Sequence, residues 1–220
     1  MFATKPYDRA RALTYARRWA FARNPLFNDY SPYGGDCTAF ASQCALAASL
    51  VMNFTPTFGW YYISDADRAP AWTGVAPFYR FLTQNEAEGP FGREGTREEL
   101  EIGDFIQLGR AEDDFYHTLV VVAREGEEIF VAAHTDDAFM RALSSYTYER
   151  ARFLHVLGVR ISLGTERDEF FALLEGRALP PNGIYRPTGT ATAPTAPSEQ
   201  APADAESRPE VQTETAAPDA

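Results

Sequence analysis

The stretch YHTLVVVAREGEEIFVAAHT, residues 116–135, decides how the chain is read. It holds two apolar runs, Leu119–Ala123 and Ile129–Ala133, on either side of charged residues around Gly126. Two such runs about a short polar turn predict a β-hairpin, and so antiparallel strands. Closed around Gly126, the hairpin brings His117 and His134 opposite each other at one end of a sheet.

Working outward, EIGDFIQLG (residues 101–109) reads as a turn at Gly103–Asp104 feeding a strand, and FLHVLGVRISL (153–163) as a further strand. The first half is helical instead. Pro6 suits the first residue of a helix running to about Arg23, with Tyr7, Leu13, Ala16 and Ala20 on its apolar side. The Asn, Pro and Gly of NPLFNDYSPYGG (24–35) mark a loop. A second helix is predicted from Cys37 to Met52, because Cys37, Phe40, Ala41, Cys44, Ala48, Val51 and Met52 recur at spacings of three and four. Trp60–Pro70 reads as irregular, and AWTGVAPFYRFLTQN (71–85) as a short third helix. Helices first and strands later predict an α+β fold with N-terminal helices packed on an antiparallel sheet.

The composition changes at Pro187, after which Ala, Pro, Thr and acids dominate and large apolar residues almost vanish. Such a segment cannot bury enough surface to offset the entropy of ordering. The expected organisation is a folded domain over 1–165, a helix and extension over 166–186, and a disordered tail over 187–220. Of the net charge of −11, six acids and one arginine place −5 on the tail and leave −6 on the body. That balance argues against nucleic acid, whose binders cluster Lys and Arg. No apolar run approaches a bilayer span, and the charged N-terminus lacks the apolar core of a secretory signal. A cytoplasmic location is the expectation, with export by another route left open.

The chemistry-bearing residues are few. Cys37 stands at the predicted start of the second helix, where unpaired N–H groups and the helix dipole stabilise a thiolate. Gly34 and Gly35 before it permit a tight turn. The competing reading is a small apolar filler. Cys44 lies mid-helix on the core stripe and reads as packing. The two cysteines are two helical turns apart, too far for a disulfide. A thiolate nucleophile needs a base. Of three histidines, His117 opens an apolar strand and is the best placed. His155, inside FLHVLGV, reads as structural. His134, or Asp136 and Asp137 beside it, could orient His117 as the third member of a triad. A zinc site of His117, His134 and Asp136 would leave Cys37 unexplained and lacks the short ligand spacings of such sites. No phosphate-binding glycine loop and no G-x-S-x-G elbow is found.

In order, YDRARALTYARRWAFARNPLF, GGDCTAFASQC, APAWTGVAPFYRFL, EIGDFIQLG, HTLVVV and AAHTDD resemble the bacterial putative amidase domain. That family opens on a Tyr-x-Arg helix and carries a Gly-Gly-Asp-Cys-Thr-Asn-Phe motif. It is similar to the NlpC/P60 and CHAP groups of papain-like cysteine hydrolases. The resemblance spans about residues 7–160 and departs at Ala39, where the family favours Asn. It implies a papain-like α+β fold that hydrolyses a peptide or amide bond through a thioester, with cell-wall peptides as the relatives' substrates. By motif, Cys37 would be the nucleophile, His117 the base, and His134 the third polar residue. No cofactor and no metal is implied. The rival functions are an acyltransferase using the same dyad and a catalytically silent binding or scaffold domain.

Overall fold

The computed structural model of the protein describes residues 2–33, 35–56, 58–162 and 168–176. The predicted tail over 187–220 lies outside the described residues.

Between a short first strand and a last helix, four helices lead and six strands follow. The helices are α1 (Arg9–Trp19), α2 (Cys37–Ser49), α3 (Pro70–Thr73), α4 (Val75–Gln84) and α5 (Asp168–Leu174). The strands are β1 (Ala3–Lys5), β2 (Gly89–Gly95), β3 (Phe105–Ala111), β4 (Asp114–Glu125), β5 (Glu128–Ala133), β6 (Ala138–Ala142) and β7 (Arg150–Ile161). They form one sheet in the order β1-β7-β3-β4-β5-β6, with β2 also paired to β7. All of these pairings are antiparallel.

Side-chain alternation divides the interior between the two faces of the sheet. Phe105, Val120, Val122, Ala132, Leu154 and Val156 face the helices and join the larger core with Tyr15, Phe40, Trp60, Trp72 and Phe78. Ile106, Leu108, Leu119, Val121, Ile129 and Val131 face the other way, into a second core around Leu100 and Leu143. Helix α5 falls within the predicted extension and belongs to the larger core, where Phe170 and Leu174 are buried. Its last carbonyl, of Leu174, accepts from Trp19 Nε1 and Asn24 Nδ2, both at 2.9 Å.

Three local expectations are corrected. The first helix starts after Asp8, not at Pro6, because the Asp8 carboxylate caps it by accepting from Arg11 N–H at 3.0 Å. Helix α2 is buried on every side rather than along one stripe, wedged between α1, α3 and the sheet. The hairpin turn takes two residues, so Glu125 pairs with Glu128, and a bulge between Val121 and Ala123 moves the register again, to Val120 opposite Ala132. Continued past the end of β5, that register puts Thr118, not His117, opposite His134. A shift of one residue exchanges faces.

Candidate active site

Cys37 is the first residue of α2, after Asp36, and both are almost fully buried. The amides of Cys37, Thr38 and Ala39 precede the first helical bond, Phe40 N–H to the Asp36 carbonyl at 2.9 Å. The turn into the helix needs Gly35, whose φ is +136° and whose missing Cβ would stand 3.2 Å from Thr135 Oγ1. That hydroxyl accepts from Asp36 N–H at 3.1 Å and ties the turn to the loop after β5.

The sulfur faces the main chain of β4. The Thr118 N–H, left unpaired where β5 has ended, points at it, and Thr38 supplies its hydroxyl and its own N–H. The two threonine hydroxyls meet at 2.9 Å and pin the helix start to the strand. The expectation of a low thiol pKa at a helix tip is overturned. Burial raises the Cys37 thiol and outweighs the three donors, with the Asp36 carboxylate adding in the same direction. Cys44 has no exposed surface, and burial raises it further above the ordinary thiol value. Both thiols are free.

His134 is buried on the helix side of the sheet, stacked on Phe40 with ring centroids 4.0 Å apart. Its Nδ1 is 2.7 Å from Asp36 Oδ2, and its Nε2 donates to the Trp19 carbonyl at 2.9 Å. Both nitrogens face acceptors, so a proton lies between Nδ1 and the carboxylate whichever atom holds it. Arg23 Nε closes the group, 3.0 Å from the same Asp36 oxygen, while its Nη1 and Nη2 grip Asp137, each at 2.9 Å. His134 therefore does not orient His117, because neither ring nitrogen is left for it. Nor has it a nitrogen to give a metal, and among the described residues no cluster of His, Cys, Asp or Glu could hold one.

His117 branches toward the opposite face. Its ring lies 6.1 Å from that of Tyr146, which packs on the second core. Burial lowers its pKa from 6.5 to about 4, with Asp136 opposing and Arg141 reinforcing the shift. The imidazole is thus neutral at pH 7. His155 belongs elsewhere, with Nδ1 2.7 Å from Asp104 Oδ2. Asp104 also accepts from Arg9 Nη1 at 2.7 Å and from the N–H groups of Glu101 and Val156.

A sequence profile of the putative amidase domain family matches residues 6–157. The chain belongs to that family. It is also 32% identical over 160 residues to the uncharacterized protein YhbB of Bacillus subtilis (strain 168). That stretch is 69% of this chain and 50% of the relative, so the chain spans about half the relative's length. No solved structure matches the chain.

In this amidase domain the Tyr-x-Arg block acts at a distance. Tyr7 Oη donates to the Gly103 carbonyl at 3.2 Å, and Arg9 reaches the carbonyls of Ile102 and Val156 besides Asp104. The block thus locks the start of α1 onto the turn before β3. Sequence reading missed Arg23, Asp36 and Thr118 as site neighbours. Only Asp36, beside Cys37 in the GGDC block, carried a local signal.

Proposed function

We propose that the domain is a cysteine-dependent amidohydrolase, in which Cys37 attacks an amide carbonyl and His117 carries the proton. The observation that carries this reading is the meeting of the Cys37 sulfur with the Thr118 N–H, one residue from His117, in a chain of the amidase-domain family. His117 directly precedes Thr118 on β4, and the reaction requires its imidazole to turn from the opposite face toward the sulfur. Asp136, the charge that favours protonated His117, takes the orienting role first given to His134. A helix that begins at its nucleophile and packs on an antiparallel sheet is the arrangement of papain-like cysteine hydrolases, and we assign the fold to that group with its NlpC/P60 and CHAP members.

The chemistry follows from those positions. The thiol proton passes to the His117 ring nitrogen as sulfur bonds to the carbonyl carbon. The oxyanion is received by free N–H groups at the α2 tip, Cys37 N–H among them. His117 then protonates the leaving amine, and water releases the acid from the thioester.

Intact-mass analysis with peptidyl acyloxymethyl ketones tests the assignment. A single adduct on Cys37, absent from Cys37→Ala and slowed about a hundredfold or more in His117→Gln, is the expected result. An adduct on Cys44, or labelling of Cys37 at the same rate without His117, would refute it.

A further inference from the structure

The family match ends at residue 157, and α5 lies beyond it. It is nevertheless built into the core. Phe170 and Leu174 are buried there, and Phe171 carries the Arg11 guanidinium over its ring, 4.8 Å from the centroid. The helix closes on Gly176, whose N–H donates to the Leu173 carbonyl at 2.9 Å. Gly176 has a φ of +78°, and a Cβ on it would stand 3.2 Å from Trp19 Cζ2, so glycine lets the chain pass close over Trp19. Seven residues are too few to stay helical alone, because isolated helices shorter than about 12–15 residues are marginal in water. Two buried side chains offset little of the entropy of ordering them. Helix α5 thus forms only while seated, and it belongs to the easily released end of the fold.

Two buried routes run from this seat to α2. The Leu174 carbonyl accepts from Trp19 Nε1 and Asn24 Nδ2, both at 2.9 Å. On the first route, the Trp19 carbonyl accepts from His134 Nε2 at 2.9 Å, and His134 Nδ1 meets Asp36 Oδ2 at 2.7 Å, one residue before Cys37. On the second, Asn24 Nδ2 also donates to Tyr15 Oη at 3.0 Å. That hydroxyl donates to Gln43 Oε1, midway along α2, at 2.7 Å. Trp19, Asn24, Tyr15, Gln43, His134 and Asp36 are all buried. When α5 leaves, Trp19 Nε1 and Asn24 Nδ2 lose their shared acceptor, at the root of both routes.

We propose that α5 is a switch on the candidate active site. Seated, it holds the tip of α2 in the geometry that acylation needs; released, it melts and frees that tip. Order–disorder of a short segment is a recurring form of switch, and here the two states differ in the acceptor offered to Trp19 and Asn24. A misplacement of about 1 Å can slow a reaction about a hundredfold, so a small shift of the tip suffices. The inference concerns regulation of the proposed amidohydrolase site and rests on Cys37 as nucleophile.

Two substitutions in the full chain test it. Leu174→Asp puts a charge where a fully buried side chain sits, and Gly176→Val strains the turn over Trp19. Both should release α5, seen as fast amide exchange over 168–176, and slow the peptidyl acyloxymethyl ketone adduct on Cys37 about tenfold or more. Cys44, fully buried midway along α2, is the control for the fold and should stay as slow toward iodoacetamide as in the native protein. A native adduct rate with α5 released overturns the proposal. So does Cys44 opening in step with the lost rate in both variants, because α5 would then only hold the fold together. Exchange of the His134 Nε2 proton, read by NMR, needs no substrate and separates the two readings. Exchange about tenfold faster in the variants, in a protein inert to the ketone, sinks the hydrolase and keeps the switch. An unchanged proton together with an unchanged adduct rate sinks the switch alone.

Discussion

Burial holds His117 neutral, and that has a thermodynamic signature. The ring titrates at about 4 in the folded protein and at 6.5 when exposed, with burial the first cause. The folded pKa is the lower of the two, so between these values the unfolded chain binds more protons than the native one. Stability therefore falls as pH drops through 6.5 toward 4. A gap of about 2.5 pH units is worth about 3 kcal/mol in full, of which roughly 2 kcal/mol is already lost at pH 5. His117→Gln removes the titrating group and keeps a polar side chain of similar size. The assay is urea denaturation of both proteins at pH 7.5 and pH 5. Carboxylates with lowered pKa values, such as Glu99 and Asp29, weaken both proteins equally in acid, so the difference between them isolates His117. The variant should gain about 2 kcal/mol relative to the native protein on acidification. Parallel loss in the two would mean that His117 is solvated in the fold, and the argument for a neutral base at pH 7 would fall with it.

Alkylation of Cys37 by iodoacetamide should climb with pH beyond the ordinary thiol range, because burial raises the thiol; a plateau below pH 7 in rate measurements would contradict this. Asp36→Asn should cost about 1–3 kcal/mol by chemical denaturation, since the amide can still donate to His134 Nδ1 but loses the charge that holds Arg23. Gly103→Ala should lower Tm more than Gly126→Ala. Both have positive φ, but at Gly103 a Cβ would stand 3.1 Å from Ala12 Cβ and 3.2 Å from Tyr7 Cε1, while at Gly126 nothing lies within 4 Å.

The elements legible in the sequence were those whose burial follows a simple period. The β4–β5 hairpin reads as two apolar runs, and α2 announces itself by its spacing even though every side of it is buried. Strand β2 stayed hidden because GPFGREG carries three glycines, a proline and two charges and owes its conformation to pairing with β7. The His117–His134 register failed for a different reason. The bulge between Val121 and Ala123 leaves no mark in residue type, yet it moves His134 to the helix side. Cys37 could be singled out because its chemistry is rare in the chain. Arg23 could not, because its role comes from Asp36 and Asp137, which only the fold brings to it.

The two histidines that looked alike in sequence have separated into different kinds of group. His134 is fixed by Asp36, the Trp19 carbonyl and Phe40, and through Asp36 it holds the residue that precedes the nucleophile. His117 has no such fixture, only a desolvated ring beside Tyr146 with Asp136 in range of its charge. A proton carrier must change its partner during turnover, which a ring bonded at both nitrogens cannot do without breaking a buried hydrogen bond. The immobile imidazole is therefore suited to hold the start of α2 in place, and the loosely held one to move the proton. Burial pushes the Cys37 thiol up and the His117 imidazole down, so both favour a neutral resting pair. In the proposed reaction the charge separates only as sulfur attacks, at the point where the helix tip and its free N–H groups can act on it.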